Sequence, residues 1–185
     1  MPDAASQTDI VIAGAARTPM GAFQGDLSAM AAPQLGGIAI KAALGDAGCA
    51  PDVVEEVLMG CVLPAGVGQA PARQAGFAGG LGETVPASTV NKVCGSGMKT
   101  VMMAHDLIRA GSAGLVVAGG MESMTNAPYL SAATRGGARL GHAALKDHMF
   151  LDGLEDAYED GRLMGSFAEE CASLSLIHIS EPTRR

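Results

Sequence analysis

The sequence predicts an α/β fold built on a largely parallel sheet. Three observations carry that expectation. Short β-branched apolar runs alternate with longer Ala- and Gly-rich helical patterns. The chain has 185 residues, enough for one domain or one and part of another at ~100–200 residues per domain. Apolar residues make up 48% and aromatics only 3%, with 26 glycines and 11 methionines. That balance excludes disorder and points to an aliphatic core whose layers approach closely.

The elements follow in order. Asp9–Gly14 is a short β-branched run ending in glycine and reads as a buried strand. Residues 33–47 read as a helix, with Pro33 in its first turn. Leu35, Ile38, Ala39, Ala42 and Ala43 form its apolar stripe, and Gly48 stops it. Val54–Val62 carries a second strand around Val57, Leu58 and Met59. Gln69–Gly79 is weakly helical, and Val85–Val93 is a third strand. Gly95–Ala110 is a long helical pattern closed by Gly111. Its Met98, Val101, Met102, Leu107 and Ile108 surround most of the circumference, which predicts burial on several sides. Leu115–Ala118 is a fourth strand, ended by Gly119 and Gly120.

The formal charge is −7, and no Lys/Arg run precedes Arg184 and Arg185. A nucleic-acid partner needs a basic face, so none is expected. Cys49, Cys61, Cys94 and Cys171 are widely spaced with no C-x-x-C, which excludes a disulfide scaffold and a zinc ribbon. The polar first nine residues do not read as a secretory signal. No apolar run reaches the ~18–20 residues of a membrane span. A cytoplasmic protein with no membrane partner is the expectation.

After Gly120 the chain is loop-rich and polar, with Arg135, Arg139, His142, Lys146 and His148. Asp152, Glu155, Asp156, Glu159 and Asp160 read as a solvated helix face, and their spacing supports no metal site. Gly165–Ala172 begins a helix. Residues 173–185 then turn into an alternating strand-like run. They resemble translated adapter sequence and are expected to be a non-native tail without function.

The chemistry concentrates at Cys94, between a strand and the start of a long helix. Unpaired N–H groups and the positive end of the helix dipole favour a thiolate there, the nucleophilic form. Gly95 and Gly97 leave room for a substrate to approach the backbone. These facts leave two readings open, a nucleophile and an inert buried cysteine. Cys49, Cys61 and Cys171 lack this setting. A nucleophile needs a base, but His105 lies eleven positions along the same helix. At ~1.5 Å per residue that is roughly 16 Å away, so His105 reads as a packing histidine. Nothing in the sequence ties His142 or His148 to Cys94, and His178 lies in the tail.

Three segments resemble the thiolase family in order and spacing. They are Val11–Gly21 with Arg17 and Pro19, Asn91–Lys99 around Cys94, and Gly119–Pro128 with Glu122 and Met124. The match runs from about Asp9 to Ala172. The resemblance implies that Cys94 takes the acyl group as a thioester. It implies a first core half over residues 1–120, a mostly parallel mixed sheet with helices on both faces. Residues 121–172 then correspond to the start of an inserted loop domain that binds coenzyme A. Within it, Leu154 and Met164 match positions bordering the acyl and pantetheine path, although ordinary apolar packing also accounts for both. Leu163 stands where many relatives carry a histidine, which puts a polar contact there in doubt.

The implied reaction is acetyl-CoA C-acetyl transfer, the condensation of two acetyl-CoA to acetoacetyl-CoA and the reverse thiolysis. Coenzyme A thioesters are the substrates, no further cofactor is required, and the setting is fatty-acid metabolism in a homotetramer or homodimer. A 3-ketoacyl-CoA thiolase of longer chain preference, a ketoacyl synthase-like enzyme and a non-catalytic CoA- or lipid-binding relative are the alternatives. The chain has about half the family's length. It lacks the Asn-Glu-Ala-Phe motif, the Gly-His-Pro histidine and the second cysteine of the family's other half. On its own it is expected to be inactive.

Overall fold

The computed structural model describes residues 9–175. They fall into two units, 9–126 and 127–175. The first is an α/β layer structure. Helix α1 spans Ala32–Ala47. Strand β1 spans Glu56–Gly60, helix α2 Pro71–Ala78 and strand β2 Ala87–Val90. Helix α3 spans Ser96–Arg109 and strand β3 Val116–Gly120. The sheet order is β2-β1-β3, and both pairings are parallel. Parallel neighbours need a crossover, and here each crossover carries a helix.

The central strand β1 explains the layering. Val57, Leu58, Met59 and Gly60 are all buried, as a strand covered on both faces requires. Val57 and Met59 join Ile40 and Leu44 of α1 and Ala72 and Ala75 of α2 in the core cluster. Gly60 faces α3 instead. A methyl group added there would lie 2.7 Å from Ser96 Cβ, so the strand and the helix start touch through the missing side chain. The Thr100 hydroxyl bridges the Gly97 and Gly119 carbonyls at 2.7 and 2.9 Å, which ties α3 to β3. Helices therefore cover both faces of this sheet. Helix α1 stops as its sequence demands, at Gly48 with φ +65°.

Several expectations need correction. Helix α1 buries Gly36, Ile40 and Leu44 rather than the stripe read from Leu35, Ile38, Ala39, Ala42 and Ala43, and Ile38 and Ala42 are exposed. Asp9–Gly14 forms no strand, and Val11 and Ile12 are 75% and 80% exposed. A strand needs a neighbour as well as an apolar run, and no described strand pairs with this one. It is tethered at its end. The Ala15 N–H donates to the Asp46 carboxylate at 3.0 Å, and Gly14 packs on Ala43 and Ala47. Strand β2 is shorter than Val85–Val93. Pro86 precedes it without an N–H to donate, and Val93 turns into the left-handed region with φ +47°. Helix α3 is not buried all round. Ser96, Thr100 and Ala104 face the sheet, while Met98 is 74% exposed and Val101 and Met102 are also exposed.

The second unit is built from short elements. Strands β4 (Tyr129–Leu130) and β5 (Lys146–Asp147) pair antiparallel. A π turn covers Phe150–Leu154, and helix α4 spans Met164–Ser175. Ser173, Leu174 and Ser175 continue that helix rather than starting a strand. The rest of the expected tail, with His178, lies outside the described residues. The acidic stretch is not a helix face. Asp156 accepts from the Tyr158 and Glu159 N–H groups at 2.9 Å each, Glu155 accepts from Gly161, and Glu159 pairs with Arg162 at 2.7 Å. These acids build a turn by capping its backbone donors. No helix among the described residues is long and apolar enough to cross a membrane.

Candidate active site

Parallel pairing puts the carboxyl ends of β1, β2 and β3 along one edge of the sheet. Cys61, Asn91 and Met121 are the residues that immediately follow those three strands. In open α/β sheets this edge is where ligands are placed.

Cys94 is exposed and stands two residues before the first residue of α3. Gly95 caps that helix. The turn that presents Cys94 is strained. Val93 has φ +47°, a region that β-branched residues avoid. Such a conformation costs on the order of 1–3 kcal/mol and persists only where its surroundings hold it. The holding groups are all within the turn or beside it. The Val93 N–H donates to Asn91 Oδ1 at 2.9 Å, an Asx turn. The Ser96 hydroxyl accepts from the Lys92 N–H at 2.8 Å and donates to the Val93 carbonyl at 2.5 Å. The Gly95 and Ser96 N–H groups return to the Lys92 and Val93 carbonyls at 3.1 and 3.0 Å. Asn91 Nδ2 reaches the Val62 carbonyl at 3.4 Å, linking the turn to the loop after β1.

That loop is fixed by Glu122. Its carboxylate accepts from the Val62 N–H at 2.8 Å, the Leu63 N–H at 3.1 Å and the Cys61 thiol at 3.5 Å. Burial and the neighbouring Glu122 charge push the Cys61 thiol up to about 12. Cys61 is thus a structural thiol, as its sequence context suggests.

The other singled-out residues lie on other elements. His105 is exposed, not packed, with Nδ1 3.3 Å from the adjacent Asp106 carboxylate. It lies on the outer side of α3 because the inner face is taken by Thr100 and Ala104. His142, His148, Leu154 and Met164 all belong to the unit 127–175. His142 is exposed. His148 is only 4% exposed and shares a 2.6 Å Nδ1 hydrogen bond with Asp152 Oδ2. Leu154 is half-buried at the end of the π turn, and Met164 is exposed at the start of α4.

The hydrogen-bonding roles of Asn91, Ser96 and Glu122 stand out only in the structure. The sequence signal for the first two was present, since Asn and Ser flanking a strand-to-helix junction are turn and cap formers. Glu122 carried no such signal, because its partners lie about sixty positions earlier.

The matching family model is "Thiolase, N-terminal domain", over residues 10–179. Among curated proteins, the chain is 53% identical over 165 residues to an acetyl-CoA acetyltransferase of Cupriavidus necator. That alignment covers 89% of this chain and 42% of the relative. It is 54% identical over 164 residues to acetyl-CoA acetyltransferase 2 of Arabidopsis thaliana, covering 89% and 40%. It is 49% identical over 169 residues to the acetyl-CoA acetyltransferase of Saccharomyces cerevisiae, covering 89% and 42%. The chain thus spans less than half the length of these relatives. With the parallel sheet, the Cys94 turn and a family match across nearly the whole sequence, this chain belongs to the thiolase family, through its N-terminal domain.

Proposed function

We propose that Cys94 is the nucleophile of an acyl transfer between coenzyme A thioesters, with acetyl-CoA as the acyl donor. The carrying observation is an exposed thiol on a held, strained turn at the carboxyl edge of a parallel sheet. The names of the relatives supply the substrate class. The Cys94 sulfur attacks the thioester carbonyl, and the tetrahedral intermediate collapses with loss of coenzyme A thiolate. The thiol proton leaves with the departing coenzyme A. A second acetyl-CoA then loses an α-proton to a base, and its carbon attacks the acyl-cysteine. Acetoacetyl-CoA leaves and Cys94 is regenerated. Leu154 and Met164 border the acyl and pantetheine path in this reading.

The unit 9–126 contributes no base of its own. Its one histidine is His105, exposed and paired with Asp106. In this reading the base and the oxyanion donors come from the part of the relatives that this chain does not span, and the chain alone gives no turnover. The test is a swap in which residues 1–172 replace the matched part of the Cupriavidus necator relative. Iodoacetamide at neutral pH is expected to modify Cys94 well ahead of Cys49, Cys61 and the exposed Cys171, and acetyl-CoA to protect it. Equal modification of all the cysteines, or no protection, sinks the proposal.

A further inference from the structure

We propose that Ser96 and Asn91 are positioning residues, which aim the Cys94 thiol by latching Val93 in its left-handed conformation. Val93 at φ +47° has a standing tendency to relax, because a β-branched side chain crowds its own backbone there. Relaxation of Val93 turns the next residue, Cys94, away from the helix start. Two side chains oppose it from opposite sides. Asn91 Oδ1 holds the Val93 N–H at 2.9 Å, and the Ser96 hydroxyl holds the Val93 carbonyl at 2.5 Å. Both polar groups of Val93 are thus held by side chains, the carbonyl also by the Ser96 N–H at 3.0 Å.

The anchor of the latch is firm. Ser96 is only 4% exposed, and its Cβ abuts the position where Gly60 lacks a side chain. Its hydroxyl is oriented by two bonds, since it also accepts from the Lys92 N–H at 2.8 Å. Asn91 is anchored in turn through Nδ2 to the Val62 carbonyl, whose own N–H is held by Glu122. The turn is therefore clamped to the loop after β1 at one end and to α3 at the other. A cysteine on a free turn samples many directions, and one on a clamped turn samples few.

The inference rests on Cys94 as the reacting thiol. Alkylation reads the turn's geometry whether or not Cys94 ever carries an acyl group, so its failure and that of the acyl-transfer reading are distinguishable. The experiment measures the iodoacetamide rate at Cys94 in the 185-residue chain by peptide mass spectrometry. Cys171 is exposed on α4 and serves as the internal reference. Ser96→Ala and Asn91→Ala are each made alone and together with Val93→Gly. Glycine adopts φ +47° without crowding, so it removes the need for a latch. Each single variant is expected to lower the Cys94-to-Cys171 rate ratio about threefold to tenfold, the range common for touching residues. In the Val93→Gly background the same substitutions are expected to lose most of that effect. Far-ultraviolet dichroism confirms that each variant keeps its helices. Asn91 is exposed, so its arm stands even where Ser96→Ala unfolds the chain. An unchanged ratio in Asn91→Ala overturns the proposal. So does a loss of equal size with Val93 and with Gly at position 93, because purely structural damage is additive with the Val93→Gly change.

Discussion

The carboxylate of Glu122 accepts from two backbone N–H groups and one thiol, all in the loop that leaves β1. Removing it leaves the Val62 and Leu63 N–H groups without that partner, and each such loss costs about 1–3 kcal/mol. Glu122→Ala is expected to lower stability by about 2–4 kcal/mol, and Glu122→Gln by less, as read from urea unfolding. A loss below about 0.5 kcal/mol for the alanine variant contradicts the clamp. The same cluster carries a pH dependence. The folded Cys61 thiol is raised from 9.0 to about 12, by burial first and by Glu122 second. A raised value means that the folded state keeps its proton after the unfolded chain has lost it. The contribution is fully present below pH 9 and is lost as pH rises from 9 toward 12. The urea midpoint is expected to fall across that window, and Cys61→Ala to flatten the fall. A parallel fall in both proteins rules out the thiol as its source. At this scale the place of Cys94 just before a helix, with Gly95 and Gly97 after it, was legible because that junction is a local signal. The partners of Glu122 were not, since hydrogen bonds across sixty positions leave no local pattern.

Strand β1 and helix α3 meet at Gly60, where a methyl group would stand 2.7 Å from Ser96 Cβ and 2.8 Å from the Gly97 nitrogen. Gly60→Ala forces those backbones apart and is expected to cost about 1–3 kcal/mol, the usual range for overpacking. Gly45 is the matched control, inside α1 with nothing within 4 Å of an added methyl. Gly45→Ala is expected to raise stability by about 0.5–1 kcal/mol, because alanine is the better helix former. Thermal unfolding of both variants checks the pair, and two shifts of the same sign contradict the packing described. The extents of helices α1, α2 and α3 were readable because helical patterns and glycine stops are local signals, but the buried face of α1 was not, since small Gly36 and Gly37 face the core while Ile38 is exposed. Asp9–Gly14 was misread for the converse reason. Its β-branched run has the composition of a strand, but pairing depends on a neighbour that composition does not report. The burial of α3 was misread likewise, since Met98, Val101 and Met102 say what a helix face prefers and not what covers it.

The exposed apolar face of α3 also affects the whole molecule. Met98 and Met102 are four residues apart and so lie on one side of the helix, next to Val101. Apolar surface left open favours association. The 185-residue chain is expected to self-associate with rising concentration, and Met98→Lys with Met102→Lys to reduce that association without lowering stability. Sedimentation velocity reads it, and an unchanged distribution removes the face as the cause. The family was legible from three segments, whereas the chemistry beyond Cys94 was not, because the chain spans only 42% of the Cupriavidus necator relative.

The central claim is that Cys94 carries the acyl group. It is tested most directly by mixing the swapped protein, residues 1–172 joined to the remainder of that relative, with acetyl-CoA. Rapid acid quenching and peptide mass spectrometry then locate the acetyl group. One acetyl thioester is expected on the peptide containing Cys94, and a Cys94→Ser variant is expected to lack it and to lose about a thousandfold or more in turnover. An acetyl group found on another residue, or turnover that survives in Cys94→Ser, contradicts it.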